Sequence, residues 1–149
     1  MQAQMLAPAA VLVVWTLIML FWMAGTRLPA ASKAGIDIGA KPGGRGQDLE
    51  DRLPPNVVWK SHNLTHLHEQ PTLFYALCAI IAIMGAGAGD TLAAWLYVGL
   101  RIVHSIWQAT VNKVPVRFVL FLTSTFVLAY LAYRAVALTL FADPSAMPQ

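Results

Sequence analysis

His62-Asn63-Leu64-Thr65-His66-Leu67-His68-Glu69-Gln70-Pro71 runs directly into Thr72-Leu73-Phe74-Tyr75 and then into an unbroken apolar stretch, Ala76 to Met84. At 100° per residue, His62, His66 and Glu69 fall within about 60° of one another on one helical face. A helix that gathers two imidazoles and a carboxylate at one end and then turns wholly apolar reads as a membrane span with a polar end. Ionisable groups at membrane depth are costly, so such residues face a bundle interior or a watery cavity and mark a site. This one segment sets both the fold class and the place to look for function.

The rest of the chain supports a membrane reading. Of 149 residues, 58% are hydrophobic and only 11% charged, and the mean hydropathy of +0.60 is too high for a soluble domain of this size. Ten Lys and Arg against seven Asp and Glu give a mild positive excess. It is dispersed along loops rather than gathered into a groove, which argues against a nucleic-acid partner. The lone Cys78 lies in an apolar stretch and reads as a small core residue, with no intrachain disulfide available to it.

Four stretches are long enough for the roughly 20 residues that a crossing helix needs, near 6–26, 62–86, 91–112 and 116–141. The first lacks the basic start and short core of a secretion signal, so it is expected to be retained. A long connection, about 27–61, carries Pro42-Gly43-Gly44 and Pro54-Pro55 and leaves room for one short surface helix over 48–53, ended by the prolines. Gly85 to Asp90 predicts a tight turn, and Pro115 suits the first turn of the last helix. Short outer turns imply an all-α, up-and-down four-helix transmembrane bundle, a single membrane domain over 1–149.

Basic residues decide the expected orientation. Arg27, Lys33, Lys41, Arg45, Arg52 and Lys60 fall in the first loop and Lys113 with Arg117 in the third, while the second loop and the N-terminal tail carry none. The positive-inside rule then puts the long loop in the cytoplasm and both termini outside it. With no targeting peptide, a bacterial inner membrane is expected. Arg134 stands 17 residues past Arg117, roughly 25 Å at helical rise, and is expected to snorkel to the outer interface.

A second polar stripe crosses the third span, where Arg101, His104, Ser105, Gln108 and Asn112 follow a helical repeat toward the same end as the His62 face. Arg117 opens the fourth span just after Pro115. Two arginines and a lysine favour carboxylate or phosphate, because guanidinium offers a rigid fork of donors. Glu69 and the imidazoles suit an amine or a polar backbone, and Arg101 is the expected partner of Glu69. The inventory predicts a small anionic ligand carrying at least one positive group, bound beside a lipid-accessible cleft. The five tryptophans mostly read as interfacial or lipid-facing residues.

The run from His62 to Tyr75, together with Arg101-Ile102-Val103-His104-Ser105 and Asn112-Lys113-Val114-Pro115-Val116-Arg117, resembles the second-, third- and fourth-helix motifs of the MAPEG family, the membrane-associated proteins of eicosanoid and glutathione metabolism. The resemblance covers essentially the whole chain. It implies a homotrimer with glutathione sites between neighbouring subunits, and a small apolar electrophile drawn from membrane lipid. On that resemblance Arg117 is the catalytic residue beside the sulfur, Glu69 holds the amino end and Arg101 pairs with a carboxylate. Arg27, His62, His66 and Gln108 complete the cofactor-binding set. His62, His66 and Gln108 replace an arginine, an asparagine and a tyrosine of family enzymes, which keeps polarity but changes donor geometry. The expected activity is therefore a transferase or peroxidase using glutathione or a related anionic thiol. Two alternatives stand beside it: a non-catalytic structural or lipid-binding protein on the same scaffold, and a metal site built from His62, His66, Glu69 and His104.

Overall fold

The computed structural model describes residues 2–40 and 42–142. Lys41, one of the basic residues behind the expected orientation, lies outside the described residues. Four long helices follow in order: α1 Gln2–Lys33, α2 Pro55–Met84, α3 Ala88–Thr110 and α4 Val114–Leu140. A 3-10 helix, Gly46–Arg52, sits in the first connection. It stops before Pro54-Pro55, as the prolines require, although it begins two residues earlier than expected.

The first two helices overrun their expected spans, and the reason is a second, smaller core. Ala31 near the end of α1 packs with Ile36, Leu53 and Val57, so α1 continues to Lys33 and α2 starts at Pro55 rather than near 62. The connection accordingly shrinks to residues 34–54 and folds over the ends of α1 and α2. We call this the loop end of the bundle.

α1, α2 and α4 are long and apolar enough to cross a membrane. α3 is not, because its polar stripe lowers its hydropathy. Its 23 residues nevertheless span about 35 Å, more than a hydrocarbon core of about 30 Å. It is tied to α2 and to α4 by links of only three residues, so it has to run antiparallel to both and cross the same thickness. Its buried residues, from Asp90 through Tyr97, Arg101, His104 and Ser105 to Gln108, form a single face. α2 and α3 make the centre of the bundle, α1 packing on both from one side and α4 on both from the other. Phe74 and Tyr97 stack at the α2–α3 contact, their ring centroids 4.4 Å apart. Leu17, Ile18, Phe21, Phe118, Phe126 and other large apolar residues point outward, the surface that a bilayer requires.

At the far end Gly85 ends α2 in a left-handed conformation, φ +109°, which residues with a Cβ disfavour. Asp90 in the first turn of α3 accepts from the Gly87 N–H at 2.9 Å. The same carboxylate takes Arg134 bidentately, at 2.7 Å from Nε and 3.1 Å from Nη2. Arg134, expected near the outer interface, also has a partner at that end of the bundle. A carboxylate that is 1% exposed holds it across the α3–α4 contact.

Candidate functional site

The residues singled out in the sequence separate into three groups. Arg27 and His62 belong to the loop. Arg27 donates from Nη1 to Ser61 Oγ at 2.7 Å and from Nη2 to the Gly46 carbonyl, while His62 Nε2 lies 3.1 Å from Glu50 Oε2. These contacts fasten the 3-10 helix to α1 and α2. Glu50 in the connection was not anticipated, since nothing in its local sequence marks it as a partner for a histidine 12 residues away.

Gln108 belongs to the interior. Both of its amide atoms are buried without a hydrogen-bond partner. Nearby on the same face of α3, Ser105 Oγ receives Asn63 Nδ2 at 2.8 Å and Trp15 Nε1 at 3.0 Å, joining α1, α2 and α3. Trp15 is therefore a polar cross-link rather than an interfacial residue. Asn63 is fully buried and was missed because it lies one residue off the His62 face. A buried amide inside an apolar span was the available signal.

The third group surrounds a notch of about 180 Å³ between α2, α3 and α4, lined by His66, His104, Val114, Arg117, Phe118 and Phe121. The His66 and His104 rings meet edge to face, centroids 6.2 Å apart. Arg117 is aimed by the chain reversal before it. Asn112 adopts φ +52°, a left-handed conformation that asparagine tolerates, and its side-chain oxygen accepts Arg117 Nη1 at 2.8 Å. Arg101 stands beside the notch with its guanidinium carbon 6.0 Å from the Phe121 ring centre. It is 1% exposed and donates from Nη2 to the His66 carbonyl at 3.0 Å. Its Nε and Nη1 are buried without partners.

Glu69 is not paired with Arg101. Its Oε2 lies 3.1 Å from His66 Nδ1, one turn back on the same helix, and its side chain is 59% exposed. The physical reason is depth: Arg101 is enclosed beneath the α2 backbone, while Glu69 looks outward from it. Among the described residues no three His, Cys, Asp or Glu side chains come together as a metal-binding set, because His62 turns to the loop while His66 and His104 face the notch. His68 bonds its own helix at the Leu64 carbonyl, 2.8 Å away.

Below the notch the α2–α4 surface changes character. Gln70 Nε2 donates to Thr125 Oγ1 at 2.9 Å and its carbonyl accepts the Tyr97 hydroxyl at 3.1 Å. Past that bridge an apolar groove of about 350 Å³ opens between Leu73, Leu77, Leu128 and Ala132. From His66 to Ala76 is about 15 Å along the helix. A charged notch and an apolar groove thus share one face of the protein.

The notch is smaller than the about 300–1,000 Å³ of most small-molecule sites, so one protomer does not enclose a ligand of tripeptide size. Cation-rich polar groups with leftover donors, beside an apolar groove on a lipid-facing surface, suit an anionic reactant meeting an apolar one. No curated protein and no solved structure matches the chain. The model of the MAPEG family matches residues 5–137, a stretch that includes every notch and groove residue named above. With that match covering most of its 149 residues, the chain belongs to the MAPEG family, whose members are membrane proteins of glutathione and eicosanoid metabolism.

Proposed function

We propose that this protein binds glutathione or a related anionic thiol at the His66–Arg117 notch and transfers it to an apolar electrophile, or uses it to reduce a lipid peroxide. The observation that carries the reading is Arg101. A buried guanidinium with two unpartnered nitrogens is costly unless something satisfies it, and a carboxylate matches its fork of donors. Glutathione supplies two carboxylates, an amine and a thiol. Arg101, enclosed behind the notch, would take a carboxylate once ligand entry uncovers its spare nitrogens, and Glu69, exposed beside the notch, the amine. Arg117, fixed by Asn112, would stand at the sulfur, where a cation favours the nucleophilic thiolate. His62 and Arg27, engaged with Glu50 and Gly46, would line the outer rim with the loop. Gln108 would complete the polar interior.

Members of the family are generally membrane-embedded trimers, and the small volume of the notch supports a homotrimer here, with a neighbouring subunit completing each site. The groove past Gln70 gives an apolar electrophile a route from lipid to the sulfur. The Lys and Arg residues gathered in and beside the first and third connections, against none in the second, support a cytoplasmic loop end.

The test is conjugation of a small aromatic chloride by the purified protein in detergent. Thiol-dependent turnover is expected, and Arg117→Ala is expected to lose about 10²-fold in rate, the usual cost of removing one group that stabilises developing charge. Turnover unaffected by Arg117→Ala would remove the assignment. With no turnover, and a thermal melt that glutathione does not move, a structural or lipid-binding protein remains.

A further inference from the structure

The notch holds more than a fixed cation. His66 Nδ1 lies 3.1 Å from the Glu69 carboxylate, and a carboxylate can only accept. The hydrogen of the neutral ring therefore sits on Nδ1, leaving Nε2 with the lone pair. The same ring lines the notch with Arg117 and His104. A carboxylate that orients an imidazole, and an imidazole that opens onto a cavity beside an anion-stabilising cation, form the ordered series that activates a weak nucleophile. His66 and Glu69 are three residues apart on α2, so the helix itself keeps them in register.

We infer that His66, oriented by Glu69, is the general base that takes the proton from the thiol received at Arg117. The inference rests on the thiol reading above and adds a residue to its chemistry. His66 Nε2 accepts the S–H proton, and Arg117 holds the negative charge left on sulfur. As the sulfur–carbon bond forms, the carbon–chloride bond of the electrophile breaks and chloride departs with its electron pair. His66 then releases the proton to water, and Glu69 keeps the ring in place for the next cycle. The charged and titratable groups facing His66 are Glu69 on α2, Arg101 and His104 on α3, and Arg117 on α4, so variants at other positions are not expected to reproduce its effect.

The experiment uses the full-length protein in detergent with glutathione as the probe. Three readings are taken across pH: binding by calorimetry, the ultraviolet thiolate band of the bound thiol, and the conjugation rate. His66→Asn is expected still to bind glutathione saturably, and to lose about 10²-fold in rate at saturating glutathione near neutral pH, the low end of general-base catalysis. Its thiolate band is expected only at higher pH. Glu69→Gln, read on protein saturated with glutathione because Glu69 would also hold the amine, moves the band the same way by less, and added imidazole raises the rate of His66→Ala about tenfold, a partial recovery of the loss. A merely structural histidine would show none of these three. A His66→Asn protein with an unchanged thiolate band and rate profile overturns the base while leaving the thiol reading intact. Failure of the unmodified protein to bind glutathione overturns the thiol reading and the base with it.

Discussion

At the far end of the bundle Asp90 is 1% exposed, and both its oxygens are taken, by two nitrogens of Arg134 and by the Gly87 N–H. Toward the loop end Arg101 is equally buried, yet among the described residues it donates to the His66 carbonyl alone and leaves Nε and Nη1 without partners. Both sites set charge among apolar helices, and both bear its desolvation cost. One is closed upon itself; the other keeps donors in reserve. A satisfied pair has no further bond to offer and serves to lock α3 against α4. An unsatisfied one is destabilising within the protomer, and its upkeep makes sense where a ligand or a neighbouring subunit supplies what is lacking.

The comparison can be broken at its closed end first. Arg134→Met should strand the Asp90 carboxylate in an apolar contact and lower Tm in detergent by about 10 °C. Asp90→Asn added to Arg134→Met removes the stranded charge and should recover part of that loss. Thermal melts with and without glutathione check this, and the shift caused by ligand should survive in any variant that still folds, because the clamp is remote from the notch. Equal stability of Arg134→Met and the unmodified protein would show that the clamp does not hold the bundle together.

The open end gives a smaller effect of opposite sign. Gln108→Leu replaces an amide whose two polar atoms are both buried and unpartnered. Removing such a group should raise Tm by a few degrees, while glutathione binding weakens by a few-fold if Gln108 completes the site. A melt and a binding isotherm on the same variant separate the two. A fall in Tm would mean that Gln108 is satisfied in the membrane, by a neighbouring subunit or by water.

Local periodicity made most of this architecture legible. The α3 stripe from Arg101 to Gln108 is buried on one face, as its spacing predicts, and Pro115 stands in the first turn of α4. The contacts that sequence reading missed are those between segments distant along the chain. Arg134 and Asp90 are 44 residues apart, and nothing local marks either as the other's partner. The same holds for Trp15 and Ser105, separated by 90 residues. The early start of α2 rests on Val57 packing into a small core with Ala31, Ile36 and Leu53, too few residues to give a periodic signal. At the site, helical spacing correctly put His66 beside Glu69 but also grouped His62 with them. The loop pulls His62 away, because Glu50 offers a partner outside the helix.

The most direct test of the open site is calorimetric titration of glutathione into the detergent-solubilised protein, alongside Arg101→Met. Saturable binding in the unmodified protein, weakened about tenfold or more when the guanidinium is removed, is the expected result. No heat of binding, or equal affinity in both proteins, would show that the unpartnered nitrogens of Arg101 await something other than this thiol.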